Sequence, residues 1–310
     1  MKIIVVANKT LPSRNGPFVD PISYDYVYLN LVKMGHDVIF YDTVQKQDIG
    51  LVELVSQQKP DLLFCCMTGD KSLTPYEPWE DISHITKNNL ARTFNWFCDD
   101  AWRFDNFSSD VCWKFHCCST PETYCLEKYK NIGYNDVTLG FWHADSRMFD
   151  YKKQKDIDVS FCGQLNPDRT KFISYLKYKG IRIEHFSGIT TKEMKDVISR
   201  SKIGINFSKN YNGVPPVLQM KGRMAEVVAG NTLLLTEYAP GLETHFKIDK
   251  EIVVFKTPDE AYKKIKFLLS NQGVYDNIRN SGYNRFLKDH DTQVRLTQIL
   301  EFAVNGKSLH

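Results

Sequence analysis

No stretch of about 18 consecutive apolar residues, the length a membrane helix needs, occurs in the 310 residues, and the opening MKIIVVANK lacks a long apolar run followed by a small-residue cleavage site. Neither a membrane span nor a secretory leader is expected, and the chain reads as cytoplasmic. An excess of one charge is also missing: 40 Lys and Arg face 37 Asp and Glu, a net charge of +3. That balance argues against a polyanion partner over the whole surface, so any basic site must be local. GxGxxG and P-loop patterns are absent, which removes the usual support for dinucleotide redox chemistry and for nucleoside-triphosphate hydrolysis. Disulfide framing is lacking too: Cys65, Cys66, Cys98 and Cys162 fall inside apolar segments, the placement of reduced thiols.

What is present is 42% hydrophobic, 13% aromatic and 25% charged, which excludes disorder, collagen and coiled coil and leaves material for two cores. The remaining cysteines cluster with one histidine as Cys112, His116, Cys117, Cys118 and Cys125. Cys112 and His116 could share a helical face as metal ligands, but zinc sites favour two close ligand pairs, and WKFHCCS fits a buried strand better.

Apolar β-rich runs alternate with helical patterns, the signature of parallel sheets with crossover helices. The first half predicts strands at Ile3–Ala7, Asp37–Tyr41, Asp61–Cys66, Thr93–Cys98 and Lys114–Cys118. One helix is expected from Asp20-Pro21 to Gly35 and another from Ser119-Thr120-Pro121-Glu122, each opened by a capping side chain and proline. After the charged stretch Tyr151–Asp156, taken as a linker, strands are expected at Asp158–Cys162, Ile181–Phe186, Lys202–Phe207, Asn231–Thr236 and Glu251–Phe255, with helices from Thr257 onward. The fold class is α/β: two Rossmann-like doubly wound domains over residues 1–150 and 151–285, and a C-terminal helix over 286–310 expected to pack back on the first. Ligands bind beyond the carboxyl ends of such strands, so two facing sheets would enclose a cleft.

Gly163 ends the first strand of the second half and opens GQLNPDR before a helix, a place where backbone can approach a phosphate, although many such turns hold glycine for geometry alone. Arg169 in that loop, with Lys221 and Arg223 at another strand-to-helix transition, gives three cations that can surround a diphosphate without a metal. Glu226, three residues after Arg223, either accepts from the two hydroxyls of a ribose or forms a plain i, i+3 ion pair. Asp156-Ile157-Asp158 is similar to the acidic motif of metal-dependent sugar transferases, but it leads straight into a strand and is read as a linker end.

DVSFCG, Arg169, INFS (205–208), KGRMAEVVAGNTLLLTE (221–237), GLETHF, EIVVF and RFLKDHDTQVR (285–295) resemble, in order, the two-domain glycosyltransferases of the spore-maturation-protein type within glycosyl transferases group 1. FCDDAWRF (97–104) and LGFWHADSRMF (139–149) look like that family's acidic loop and interdomain segment. The resemblance spans roughly residues 90 to 300 and implies the GT-B fold. It also implies a nucleotide-sugar held mainly by the second domain, Arg169, Lys221 and Arg223 facing its diphosphate, and Glu226 its ribose. Two positions depart: Asn231 stands beside Gly230 where the family has glycine, and Asp291-Thr292 follows His290 where it has threonine and an aromatic. Asparagine tolerates left-handed backbone, so the turn can survive.

The expected reaction moves a sugar from a nucleoside-diphosphate sugar to a hydroxyl acceptor with no metal or cofactor, fixed cations stabilising the leaving diphosphate. Asp99 and Asp100, at a strand end facing the cleft, are candidate general bases, and His143 a further candidate or a donor to the sugar; each has a structural alternative. The loop Arg14, Asn15, Gly16, Pro17, Phe18 and the pair Trp102, Arg103 are expected on the acceptor side. The aromatic run Phe94, Trp96, Phe97, Trp102, Phe104, Phe107, with lysines at 152–155 and 171–179, permits DNA carrying a hydroxymethylated base as acceptor. A non-catalytic nucleotide-sugar-binding protein is the alternative of another class. Donor sugar and base, acceptor, stereochemistry and oligomeric state stay open.

Overall fold

A strand buried on both faces must be apolar throughout, and Ile3–Ala7 meets that demand with every residue fully buried. The computed structural model describes residues 1–11, 18, 19, 21–212 and 215–306. They form two compact units, Met1–Phe141 with the segment from Thr292, and Trp142–Tyr211 with Pro215–Asp291.

The first unit is built on β1 (Lys2–Ala7), β2 (Asp37–Asp42), β3 (Leu62–Cys65), β4 (Arg92–Trp96), β5 (Cys117–Thr120) and β6 (Val137–Leu139). They pair all parallel in the order β2-β1-β3-β4-β5-β6. The second unit carries β7 (Ile157–Cys162), β8 (Ile183–Phe186), β9 (Ser201–Asn206), β10 (Leu233–Glu237) and β11 (Val253–Phe255), also parallel, in the order β8-β7-β9-β10-β11. This is the expected α/β class of two parallel sheets with surrounding helices. In both sheets the order reverses beside the first strand, which fixes a topological switch point between β1 and β3 and between β7 and β9.

Local chemistry explains the helix starts. Asn166 caps the helix Pro167–Tyr178 by accepting from the Arg169 amide at 2.9 Å, with proline at the first position. Thr190 and Glu193 form a reciprocal capping box on Thr191–Arg200, and Thr257 caps Pro258–Ser270. The chain from Pro258 is helical as expected: Pro258–Ser270, Gln272–Asp289 and Thr292–Asn305. The last of these lies in the first unit, where Arg92 Nε donates to the Ala303 carbonyl at 2.9 Å.

Several expectations need correction. The strand placed at Lys114–Cys118 is β5, displaced toward the C-terminus, because Cys112–Lys114 is a tight turn that leaves Trp113 on the surface. The strand expected to reach Cys98 stops at Trp96. Because β5 continues through Thr120, the following helix starts at Thr123 with no side-chain cap, rather than at Ser119-Thr120-Pro121. The helix ending before Gly35 is π-helical over Pro21–Tyr28 and α-helical only over Leu29–Lys33. β6 was missed, being three residues long. Tyr151–Asp156 is tied into the second unit: Lys153 pairs with Asp196, Lys155 donates to Gly230 O and Thr232 Oγ1, and Asp156 pairs with Arg200. Among the described residues no helix is long and apolar enough to cross a membrane.

Candidate functional site

The switch point of the second sheet is framed by the exits of β7 and β9. Gly163 follows β7 because a Cβ there would sit 2.9 Å from the Phe161 ring; its amide donates to Phe186 O at 2.9 Å, and its carbonyl meets His185 Nε2 at 2.8 Å. One turn later the Arg169 guanidinium lies 5.7 Å from the Phe161 ring centre and 5.6 Å from that of Phe207, a stacked and preorganised placement. Its Nη1 donates to Gln164 O at 2.8 Å, while the buried Nε has no partner among the described residues. Partial burial lowers the Arg169 pKa, opposed by Tyr211 and Glu237.

Lys221 sits at the start of the helix Gly222–Ala229. Trp142 lies under Gly222, where a Cβ would come 3.2 Å from the indole, and its Nε1 donates to Met220 O at 3.1 Å. Arg223 and Glu226 make the i, i+3 ion pair, Nη1 to Oε2 at 2.7 Å, and the same Nη1 meets Met194 Sδ. Burial pushes the Cys162 thiol up to about 11, with the Arg223 charge pulling it down. Successive strand residues point to opposite faces. Arg169 therefore lies on the Phe161 side of the β7 exit, while Cys162 faces the other way.

Sequence reasoning missed the β9 side of this site. Ser208 Oγ donates to Glu237 O at 2.6 Å, the Lys209 amide to Glu237 Oε2 at 2.9 Å, and Lys209 Nζ to Asp168 Oδ2 at 3.3 Å, an oxygen that also accepts from Tyr211 OH. The signal available was positional: Lys209 directly follows INFS at a strand exit. His143, at the start of this unit, is only 2% exposed, next to Ala144, which bridges to Asp291.

In the first unit the exits of β3 and β4 border a small cavity of ≈ 20 Å³ lined by Thr68, Cys98, Asp99, Arg103 and Phe107, among others. Asp99 is half-buried at its wall. Asp100 corrects the expectation that both carboxylates face outward: at 1% exposure it points into the core, its Oδ1 accepting from Ser108 Oγ at 2.5 Å and its Oδ2 from Tyr129 OH at 2.9 Å. Burial raises its pKa to about 7, with Asp99 adding repulsion and the hydrogen bonds opposing. Arg103 stacks 4.1 Å from the Phe107 ring centre and 5.5 Å from that of Trp102, whose buried Nε1 has no partner among the described residues. Glu77, unforeseen, holds the β3 exit by accepting from the amides of Thr68 (2.5 Å) and Gly69 (2.8 Å) and from Trp79 Nε1 (3.1 Å). Gly69 has φ +69 and packs under Phe107, where a side chain has no room.

The rest of the aromatic run is core: Phe94, Trp96, Phe97 and Phe104 are at most 3% exposed, leaving Trp102, Arg103 and Phe107 half-buried. Of the lysines weighed for DNA, Lys155 is turned inward, burial lowering its pKa to about 7. Gly16, with Arg14, Asn15 and Pro17, lies outside the described residues. Cys112, Cys117, Cys118 and Cys125 are buried free thiols, and His116 Nδ1 accepts from the Thr93 amide at 3.1 Å. Among the described residues no group of three or more His, Cys, Asp or Glu is placed to hold a metal.

A family profile described as glycosyl transferase-like matches residues 147–301, half of the chain. No curated protein matches the sequence. Solved structures similar over nearly the whole chain include a glycosyltransferase from Rickettsia africae (TM-score 0.67, 9% identity, 98% of each chain). An Anabaena protein in complex with UDP and glucose gives TM-score 0.66 at 10% identity, over 98% of this chain and 100% of that one. An alpha-glucosyltransferase in complex with UDP-glucose and DNA containing an abasic site gives 0.61 at 12%, over 98% and 99%. At these identities the likeness is one of fold, the GT-B arrangement of two parallel sheets.

Proposed function

The chain belongs to the glycosyl transferase-like family, and from that premise we propose that it transfers a sugar from a nucleoside-diphosphate sugar to a hydroxyl acceptor, in the manner of the spore-maturation type it resembles. The observation that carries the reading is Arg169, held against Phe161 and Phe207 at the β7–β9 switch point, in the same unit as Arg223, which is paired with Glu226. UDP with glucose in one structural neighbour and UDP-glucose in another support a uridine donor.

Bond breaking leaves negative charge on the diphosphate while positive charge grows on the anomeric carbon. Cations fixed before the reaction stabilise that separation without reorganising. In this reading Arg169, Arg223 and Lys221 take the phosphates, the Gly163 turn lets backbone approach them, and Glu226 exchanges Arg223 for the ribose hydroxyls. We assign the general base to Asp99, whose carboxyl lines the first-unit pocket, rather than to the inward-facing Asp100. Trp102 and Arg103 flank the acceptor, and His143 acts as a buried support. With arginine and lysine carrying the charge, activity is proposed to survive EDTA.

A second reading keeps this chemistry with a hydroxymethylated base in DNA as acceptor. It is favoured by Arg103 stacked on Phe107 and Trp102, a planar cation able to meet a base or phosphate. Salt-dependent DNA binding lost in Arg103→Ala supports it, and salt-independent or absent binding dismisses it. A thermal-shift panel of nucleotide-sugars tests the main proposal, since a ligand of the folded state raises the midpoint. Donor hydrolysis without acceptor separates an enzyme from a non-catalytic binding protein.

A further inference from the structure

Arg169 shares the switch point with a second cation. The main chain around Lys209 is held from both sides: Glu237 takes its amide, Ser208 O accepts from the Gln219 amide at 3.1 Å, and Asn210 Nδ2 donates to Gln219 Oε1 at 2.6 Å. Its ammonium, by contrast, has one carboxylate partner, Asp168 at 3.3 Å, and lies 5.1 Å from the Tyr211 ring centre. Tyr211 donates to the same Asp168 oxygen, and Arg169 is the residue after Asp168. Arg169, in the first turn of the helix after β7, and Lys209, in the segment after β9, thus lie beyond the two strands that frame the switch point, with Asp168 beside Arg169 in sequence and bonded to Lys209 and Tyr211.

The Asp168–Lys209 pair is solvent-exposed, with side-chain exposures of 54% and 40%. Exposed pairs of this kind contribute only about 0–1 kcal/mol, so a doubly charged phosphate in reach is a stronger partner. We propose that Lys209 is a further ligand of the donor diphosphate and that Asp168 is its alternative partner, a positioning residue that takes the ammonium back when the diphosphate leaves. The inference rests on the donor reading of this sheet and deepens it. It makes Asp168 a competitor of the phosphate, so the acid weakens product retention and the lysine strengthens donor capture.

Titration calorimetry with inorganic pyrophosphate and with UDP, on the full chain, tests it. Lys209→Met keeps the stem against Tyr211 and removes the charge. It should weaken both probes by roughly tenfold, the worth of one charge-assisted contact. Asp168→Asn should tighten them severalfold, and in Asp168→Asn/Lys209→Met that gain should vanish, since the acid acts through the lysine. Wild-type affinity in Lys209→Met alongside lost binding in Arg169→Ala overturns the inference and leaves the donor reading standing. A gain from Asp168→Asn that persists in the double variant overturns the proposed exchange, because Asp168 then acts by its own charge. No heat with wild type for either probe overturns the donor reading and the inference with it.

Discussion

At the residue scale, the account hangs on what stacking does for Arg169. A guanidinium held against the edge-to-face pair Phe161 and Phe207 presents a fixed plane of donors, which lysine cannot copy. Arg169→Ala should lower donor affinity by roughly ten- to a hundredfold, about 1.5–3 kcal/mol for a charge-assisted bond, and Arg169→Lys should recover little of it. Asp99→Asn should reduce turnover while leaving donor binding unchanged, measured as kcat against the titrated affinity. Asp100 makes a different prediction, about stability. Its folded-state pKa of about 7 stands above the ordinary carboxyl value of 3.8, so the folded chain holds the proton more tightly than the unfolded one. Its contribution is fully present below pH 3.8 and is lost as pH rises through about 7. Asp100→Asn should flatten that part of the stability profile between pH 4 and 8, with the variant gaining on wild type at the alkaline end; parallel profiles would contradict it.

At the scale of elements, the helix Gly222–Ala229 carries Arg223 and Glu226 close to the sheet because Gly204 in β9 offers no side chain, a Cβ there falling 2.7 Å from Val227. Gly204→Ala should push the helix outward, lowering both the melting temperature and donor affinity, whereas an effect on stability alone would separate the helix from the site. The turn after that helix needs left-handed backbone at Asn231, φ 50. Asparagine fills it where family members have glycine, so Asn231→Gly should be nearly neutral and Asn231→Ala should cost on the order of 1 kcal/mol by thermal melting.

Much of this was legible in the sequence. Apolar runs marked β1 and β3, the loop GQLNPDR marked an approaching helix, and the adjacency of Gly230 and Asn231 marked the turn. Other features were illegible for physical reasons. β6 spans three residues, too few to show a period, and β5 opens on Cys117 and Cys118 within WKFHCCS, an apolar run whose first half the sequence alone does not separate from the strand. Asp99 and Asp100 are neighbours in sequence, yet only the fold separates a pocket wall from a core carboxyl, because Ser108 and Tyr129 come from other elements. Lys209 is held by Glu237, 28 residues along the chain, and Glu77 reaches back eight and nine residues to the amides of a β3-exit loop, and no local pattern announces either.

At the scale of the whole molecule, the two sheets share one topology, each reversing beside its first strand, so each unit owns a switch point at which ligands are expected. Arg169, Lys221 and Arg223 all belong to the second unit, and the family match covers that unit almost entirely, residues 147–301 against Trp142–Asp291. A net charge near zero over the chain is compatible with this, since the charge that counts is local. Because the proposed leaving-group stabilisation uses side chains alone, sugar transfer should proceed at an undiminished rate after exhaustive EDTA dialysis; loss of activity restored by a divalent cation would contradict that part of the account.

The most direct measurement is a calorimetric titration of UDP into the wild-type chain and into Arg169→Ala. The account predicts saturable heat at one site in the wild type and at least tenfold weaker binding in the variant. Equal affinity in the two proteins, or no heat in either, would contradict the placement of the donor diphosphate at the β7–β9 switch point.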